Sequence, residues 1–197
     1  MSGVVNFYVS LLPVIITGIV NAVFCKSHLL DKLKIPIDCH KTLKDGQRVF
    51  GDHKTLKGFI GYIIFAVIFS VIFGLISTRV HWLERHNFFY FTHNNNVVFN
   101  FMLGSLLGFT WTLFELPNSF LKRRLKIAPG FTSKNNFMKI LFVFLDQADS
   151  IFGVVLVIAI FHPIFITQYF LYVVVGALTH IALNYLLFLA KIRKRPV

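Results

Sequence analysis

Five apolar runs, each long enough to cross a bilayer, constrain this chain more than any other feature. A hydrocarbon core of about 30 Å takes about 20 helical residues to span. Lipid offers the backbone no hydrogen bonds, so only a helix or a closed barrel satisfies its own N–H and C=O groups there. The runs fall at about residues 4–24, 59–78, 97–116, 139–161 and 164–190. The first, second and fifth contain no Asp, Glu, Lys or Arg. A mean hydropathy of +0.70 leaves too little polar sequence for a sizeable water-soluble domain. The expected fold is therefore all-α, one integral membrane domain spanning residues 1–197.

Charge orients these helices. Of the 20 Lys and Arg, eight lie between Lys26 and Lys57, six between Lys122 and Lys139, and four in the tail from Lys191 to Arg195. Only Arg79 and Arg85 lie between the second and third runs, and His162-Pro163 joins the last two with none. Basic and poor loops alternate, as the positive-inside rule requires. This predicts an N-terminus outside, a C-terminus in the cytosol, and two basic cytosolic loops in a multi-pass cell-membrane protein. The net charge of +12 is then explained by topology and by attraction to anionic membrane lipids, without nucleic acid as a partner. Lys and Arg follow the first run and do not precede it, which reads as an anchor rather than a signal peptide. Cys25 and Cys39 fall on the cytosolic side, where reduced thiols are expected.

Three acids work against insertion. Glu115 ends the third run, and Asp146 and Asp149 sit inside the fourth. A bare carboxylate at the bilayer centre costs roughly 2.5 kcal/mol or more. The i, i+3 spacing stacks Asp146 and Asp149 on one helix face, where two carboxylates can share a divalent cation. Lys122, Arg123 and Arg124 read either as a stop-transfer flank or as partners in a buried ion pair with these acids. The first basic loop sets Gly46, Gly51, Gly58 and Gly61 among Arg48, Asp52, Lys54, Thr55 and Lys57. Glycines that admit backbone N–H groups beside cations suit a phosphate cradle, although the Walker spacing is lacking and a topological flank is the plainer reading. Gly104-Ser105-Leu-Leu-Gly108 is a small-xxx-small pattern for close helix packing, and His180 with Asn184 at i+4 suits a polar interhelical contact.

Together these elements suggest phosphoryl or nucleotidyl transfer at a membrane surface. An attacking phosphate monoester is already ionised near neutral pH, so the reaction mainly needs charge neutralisation and in-line positioning. Acid-bound divalent ions, with Lys and Arg on the leaving group, supply both.

The same residues resemble the CDP-archaeol synthase family, short relatives of the CDP-diacylglycerol synthases. The resemblance rests on Asp45-Gly46-x-Arg48-x-Phe50-Gly51-Asp52-x-Lys54-Thr55-x-x-Gly58, then Ser119-Phe-Leu-Lys122-Arg123-Arg124 with Pro129-Gly130, then Leu145-Asp146-Gln147-x-Asp149, and finally His180 and Asn184. Asp146-Gln-Ala-Asp149-Ser150 is also similar to the D-R-x-D-S end of the larger enzymes' signature. It implies five helices and CTP-dependent cytidylyl transfer to a membrane lipid phosphate, phosphatidate-like or ether-linked, with release of pyrophosphate. By this resemblance Asp146, Asp149, Lys122 and Glu115 are catalytic, and Glu115, Asp146 and Asp149 hold Mg²⁺, one ion or two. Ser119, Lys122, Arg123, Arg124, Arg48, Asp52, Lys54 and Lys57 are expected around the nucleotide. Phe114 and Glu115 stand where the family has Gly-Asp, and His53 where it commonly has Gly. A non-catalytic membrane protein of the same fold, binding nucleotide or anionic lipid, is the alternative, and an ion-conducting protein a more distant one. The lipid is expected to enter sideways through an apolar opening, since extracting a chain costs about 0.8 kcal/mol per methylene.

Overall fold

The computed structural model describes residues 2–129, 131 and 135–192. Gly130 and Lys134 of the second basic segment, and Arg193, Lys194 and Arg195 of the tail, lie outside the described residues. The helices are α1 (Ser2–Lys26), α2 (Leu56–Ser77), α3 (His81–Arg85), α4 (Val97–Arg124), α5 (Asn136–Phe161) and α6 (Ile166–Leu189), with 3₁₀ turns at Asp31–Leu33 and Phe88–Tyr90. Five of them, all but α3, are long and apolar enough to cross a membrane. Among the described residues the only β pairings are two isolated bridges in the first loop, Pro36 with Thr55 and Thr42 with Arg48.

Local chemistry sets the helix starts. Thr55 Oγ1 accepts a hydrogen bond from the Gly58 N–H, Asn96 from Phe99, and Asn135 from Phe137 and Met138, each satisfying donors that the first turn leaves open. The sequence expectation fails at the end of the third span. α4 runs well past residue 116, through Pro117, and ends at Arg124. The apolar run stops there, but the helix does not, because the charged side chains beyond it find partners on a neighbouring helix and on the first loop. Everything from Glu115 to Arg124 therefore rides on one rigid rod.

α4 is the spine. It packs along α2 on one side and α5 on the other, while α1 covers α2 and α6 covers α5. α1 and α6, at the two ends of this arc, meet through the Phe7 and Tyr172 rings, stacked at 4.8 Å, and the Tyr8 and Thr179 hydroxyls, 2.9 Å apart. The α2–α4 contact is close because α4 presents glycines. A Cβ at Gly104 would lie 2.6 Å from the Ala66 carbonyl oxygen and the Val67 Cα, and one at Gly108 would lie 2.7 Å from the Ile63 Cα. The small-xxx-small pattern thus has the packing role expected of it. On the opposite face of α2, Ile64, Ile68, Ile72 and Leu75 form an exposed apolar stripe at helical spacing. A chain with such a stripe needs an apolar solvent, so this is a multi-pass membrane protein.

Gly104→Val should force α2 away from α4 and lower stability by about 1–3 kcal/mol, as overpacking does. The thermal midpoint in detergent checks this against Phe101→Leu, an exposed position on α4 that should leave the midpoint unchanged.

Candidate active site

α4 carries Trp111, Glu115, Asn118, Ser119 and Lys122 at three- and four-residue intervals, so they rise along one face. That face meets Asp146 and Asp149 of α5. The Asn118 side-chain nitrogen donates to Asp146 Oδ1 at 2.8 Å and to Asp149 Oδ2 at 3.0 Å, bridging the two carboxylates. One turn later the Lys122 ammonium donates to both oxygens of Asp146 and lies 5.5 Å from the centre of the Phe142 ring. Asp149 Oδ1 also accepts from the Ser150 N–H at 2.7 Å. At an effective dielectric of 20, opposite charges about 4 Å apart attract by about 4 kcal/mol, which favours keeping such groups together in a half-buried site.

Glu115 answers a different cation. Its carboxylate accepts from the ammonium of Lys54, which reaches in from the first loop, and from the Trp111 indole nitrogen at 3.0 Å. Trp111 is wedged between the stacked ring of Tyr62, at 5.0 Å, and the edge of His180, at 5.4 Å. Burial pulls the Lys54 pKa down, but the carboxylates of Glu115, Asp149 and Asp146 outweigh it and hold the pKa above the ordinary lysine value. Lys54 is therefore charged at neutral pH.

The first loop is folded around a buried acid. Asp38 accepts from the Arg48 guanidinium and from the N–H groups of Phe50 at 3.0 Å and Gly51 at 3.1 Å. Burial opposes its ionisation, yet Arg48 and these amides hold its carboxyl well below the usual carboxylate range. Gly51 has φ of +104°, and a Cβ there would lie 2.9 Å from Pro129 Cγ, so the loop presses against the segment that follows α4. Arg124 ties the two together by binding Asp45 and the carbonyl oxygens of Gln47 and Arg48. His53 is not among the residues with left-handed φ, so a side chain is tolerated where the family has Gly.

The structure brings Asp146, Asp149, Asn118 and Lys122 together, and sets Glu115 and Lys54 beside them. It does not gather the three acids into one cluster: among the described residues no three His, Cys, Asp or Glu side chains stand close enough to hold an ion. Arg123 is only 6% exposed, and its Nε and Nη1 have no hydrogen-bond partner among the described residues. Ser119 is half-buried on the same helix, four residues before Arg123. Other expected nucleotide contacts are placed elsewhere. Arg48 and Arg124 brace the loop, and Asp52 is exposed, 2.7 Å from Arg48. Lys57 is enclosed, donating to the Ser27 carbonyl at 2.8 Å and to Asp31 at 3.2 Å over the Phe24 ring, because the turn into α2 points it toward α1.

On α6, His180 Nδ1 is 3.2 Å from the Gln147 carbonyl oxygen, and the Asn184 amide donates to the Gln147 side chain. The polar interhelical contact expected of this pair is formed. Beside it, between α1 and α6, opens a cavity of about 190 Å³. Its walls include Leu11, Ile15, Leu183 and Leu187, and its polar end is formed by Glu115 and His180. Sequence reasoning missed Asn118 and Asp38, and gave Gln147, although part of the motif, no role of its own. For Asn118 a signal existed, since it falls on the Glu115–Lys122 stripe.

The chain has relatives of known kind. It is 30% identical over 132 residues to the CDP-archaeol synthase of Methanospirillum hungatei, covering 66% of each protein. It is 36% identical over 96 residues to that of Pyrococcus furiosus, covering 49% of each. These matches span about half and about two thirds of the relatives' length; against the Methanococcoides burtonii enzyme the match is 26% identical and spans 89% of it. A solved structure, described as an intramembrane enzyme for archaeal membrane lipids biosynthesis, superposes with a TM-score of 0.57 at 21% identity, covering 86% of this chain and 91% of that one. That likeness shows a shared fold. The sequence pattern of one family matches residues 5–196, and on that match the chain belongs to the CarS-like CDP-archaeol synthase family.

Proposed function

We propose that this chain, acting as one membrane-embedded domain, transfers the cytidylyl group of CTP to a membrane lipid phosphate. The observation that carries the reading is the half-buried pair Asp146 and Asp149, set beside Lys122 and Lys54 and near Arg123, whose Nε and Nη1 have no partner among the described residues. A buried cation with open donors suits an anion that arrives from outside. An oxygen of the lipid phosphate attacks the α-phosphorus of CTP, the bond to the bridging oxygen breaks, and pyrophosphate leaves. No base is required, because the attacking phosphate is already ionised.

The donors fit a divalent cation. Asp146 Oδ1 and Asp149 Oδ2 both reach one nitrogen, so both also face one point between them. Hard carboxylate oxygens suit Mg²⁺, which when bound neutralises and orients the reacting phosphates. Asp146 and Asp149 would hold it, with Glu115, paired to Lys54, as the nearby third carboxylate. Lys122, Arg123 and Ser119 receive the phosphates from α4, while Arg48 and Arg124 keep the Gly51 turn, with Asp52, in place. The lipid tails lie in the cavity between α1 and α6, whose apolar walls a chain enters sideways from the bilayer. Tails held by apolar side chains fit a phosphatidate-like lipid and an ether lipid alike. Both basic segments meet at one end of the bundle, and the positive-inside rule puts that end in the cytosol, where CTP is.

Purified protein should release pyrophosphate from CTP only when a long-chain lipid phosphate and Mg²⁺ are both present. Nucleotide binding without release would instead mark a non-catalytic relative. Asp149→Asn should lower turnover by about 10²-fold or more, the scale of losing a group that stabilises transition-state charge, with the detergent melting curve retained. Activity within a few-fold of wild type would remove Asp149 from the reaction.

Lys122→Ala should weaken CTP dependence by at least about 10-fold, the scale of one lost charge-assisted contact, and added lipid should not restore it. A short, water-soluble phosphate monoester should be a much poorer acceptor than a long-chain lipid phosphate, and equal rates would rule out the α1–α6 cavity as the tail site.

A further inference from the structure

We infer that Asn118 is an oxygen ligand of the cation held by Asp146 and Asp149, and that its amide turns over when the ion binds. The inference rests on the metal-dependent reading above and adds to it a residue that neither the sequence motifs nor the three acids supply.

Two facts about one side chain lead to it. The Asn118 nitrogen uses its hydrogens on Asp146 Oδ1 at 2.8 Å and Asp149 Oδ2 at 3.0 Å. Its oxygen is buried and has no hydrogen-bond partner among the described residues. An unsatisfied buried acceptor is costly, and a side chain serving only as a brace gains nothing from leaving its oxygen in that state. The amide orientation itself is forced. Two carboxylate oxygens facing one point need a donor or a cation between them, and the oxygen end of the amide would be repelled from that position. The NH₂ group therefore stands where an ion bridging the same two oxygens belongs.

With an ion in that place the preference reverses. The NH₂ now faces a positive charge and the orphaned oxygen is the better neighbour. The terminal torsion of Asn is broad and roughly two-fold, so a half-turn exchanges the two ends without moving the helix. Amide oxygens are ordinary ligands of hard cations. Asn118, Asp146 and Asp149 then offer three oxygens, two of them from carboxylates, to one divalent ion. Lys122, one turn along α4, remains on Asp146 throughout.

The test uses the full-length chain in detergent, titrated with MgCl₂ and separately with MnCl₂ while its melting temperature is followed. Wild type should be stabilised by either ion. Asn118→Ala should need at least about 10-fold more metal for the same rise, the loss typical of disturbing a metal site. Asn118→Asp, which keeps a ligand oxygen but removes the N–H donors, should melt lower than wild type without metal and gain more from it. An Asn118→Ala protein that melts lower but responds to the same metal concentration would reduce Asn118 to a brace and overturn the inference. So would an Asn118→Asp protein whose metal response is no larger than that of wild type, and this variant decides the matter if the alanine protein does not fold. Metal response is measured without CTP or lipid, so wild type that binds the ion but releases no pyrophosphate would overturn the proposed reaction alone. Wild type that turns over normally while Asn118→Ala keeps its metal affinity would overturn this inference alone.

Discussion

Charge neutralised from within the bundle is the constraint on which the rest of this structure depends. A carboxylate or ammonium taken from water into a low-dielectric interior survives only if another part of the chain meets it. Here the meetings are between elements distant in sequence. Lys122 of α4 meets Asp146 of α5, and Lys54 of the first loop meets Glu115 of α4. Each pair is also a spatial instruction, since α4 cannot slide along α5, nor the loop lift from α4, without stranding a charge. Breaking a fully buried pair by removing one partner costs about 3–5 kcal/mol. The partial exposure of both these pairs reduces that figure, and most of their worth lies in fixing where helices and loop sit.

α4 converts that constraint into a site. One stripe of side chains along a single helix reaches the aromatic wedge at Trp111, the carboxylate bridge at Asn118 and the cation at Lys122. Tight glycine packing against α2 leaves the rod little freedom to move. The first loop, built on the buried Asp38, is pinned to the end of the same rod through Arg124. Chemistry drawn from three segments is thereby referred to one rigid element, which suits a reaction that depends on positioning.

The sequence made much of this legible, for identifiable reasons. Five spans followed from apolar run length, close packing of α4 from Gly104 and Gly108, and a polar contact of α6 from His180 and Asn184, because each depends on local periodicity; that α2 and α5 are the partners did not follow. The end of α4 was misjudged because hydropathy falls at Glu115, whereas the helix persists on partners that periodicity does not reveal. Lys57 and Arg124 looked like phosphate ligands in the linear order, yet one is spent on the turn out of α1 and the other on loop carbonyls. Asn118 escaped notice, and Gln147 was given no role, because a neutral amide gains significance only from what faces it. Asp38 escaped for a similar reason: an acid in a basic loop looks solvated until the loop closes around it.

Gln147 has a consequence for how such a chain can vary. Standing between the two aspartates, it meets α6 with both its backbone carbonyl and its side chain, so the vertical register of α6 is keyed to the carboxylates. A helix advances about 1.5 Å per residue and turns by about 100°. Deleting a single residue between Pro163 and His180 would therefore swing both polar side chains off Gln147 while leaving hydropathy nearly unchanged. α6 should accept almost any apolar replacement on its lipid face and almost no change of length in that interval. Relatives with divergent composition but fixed spacing there are what this geometry selects.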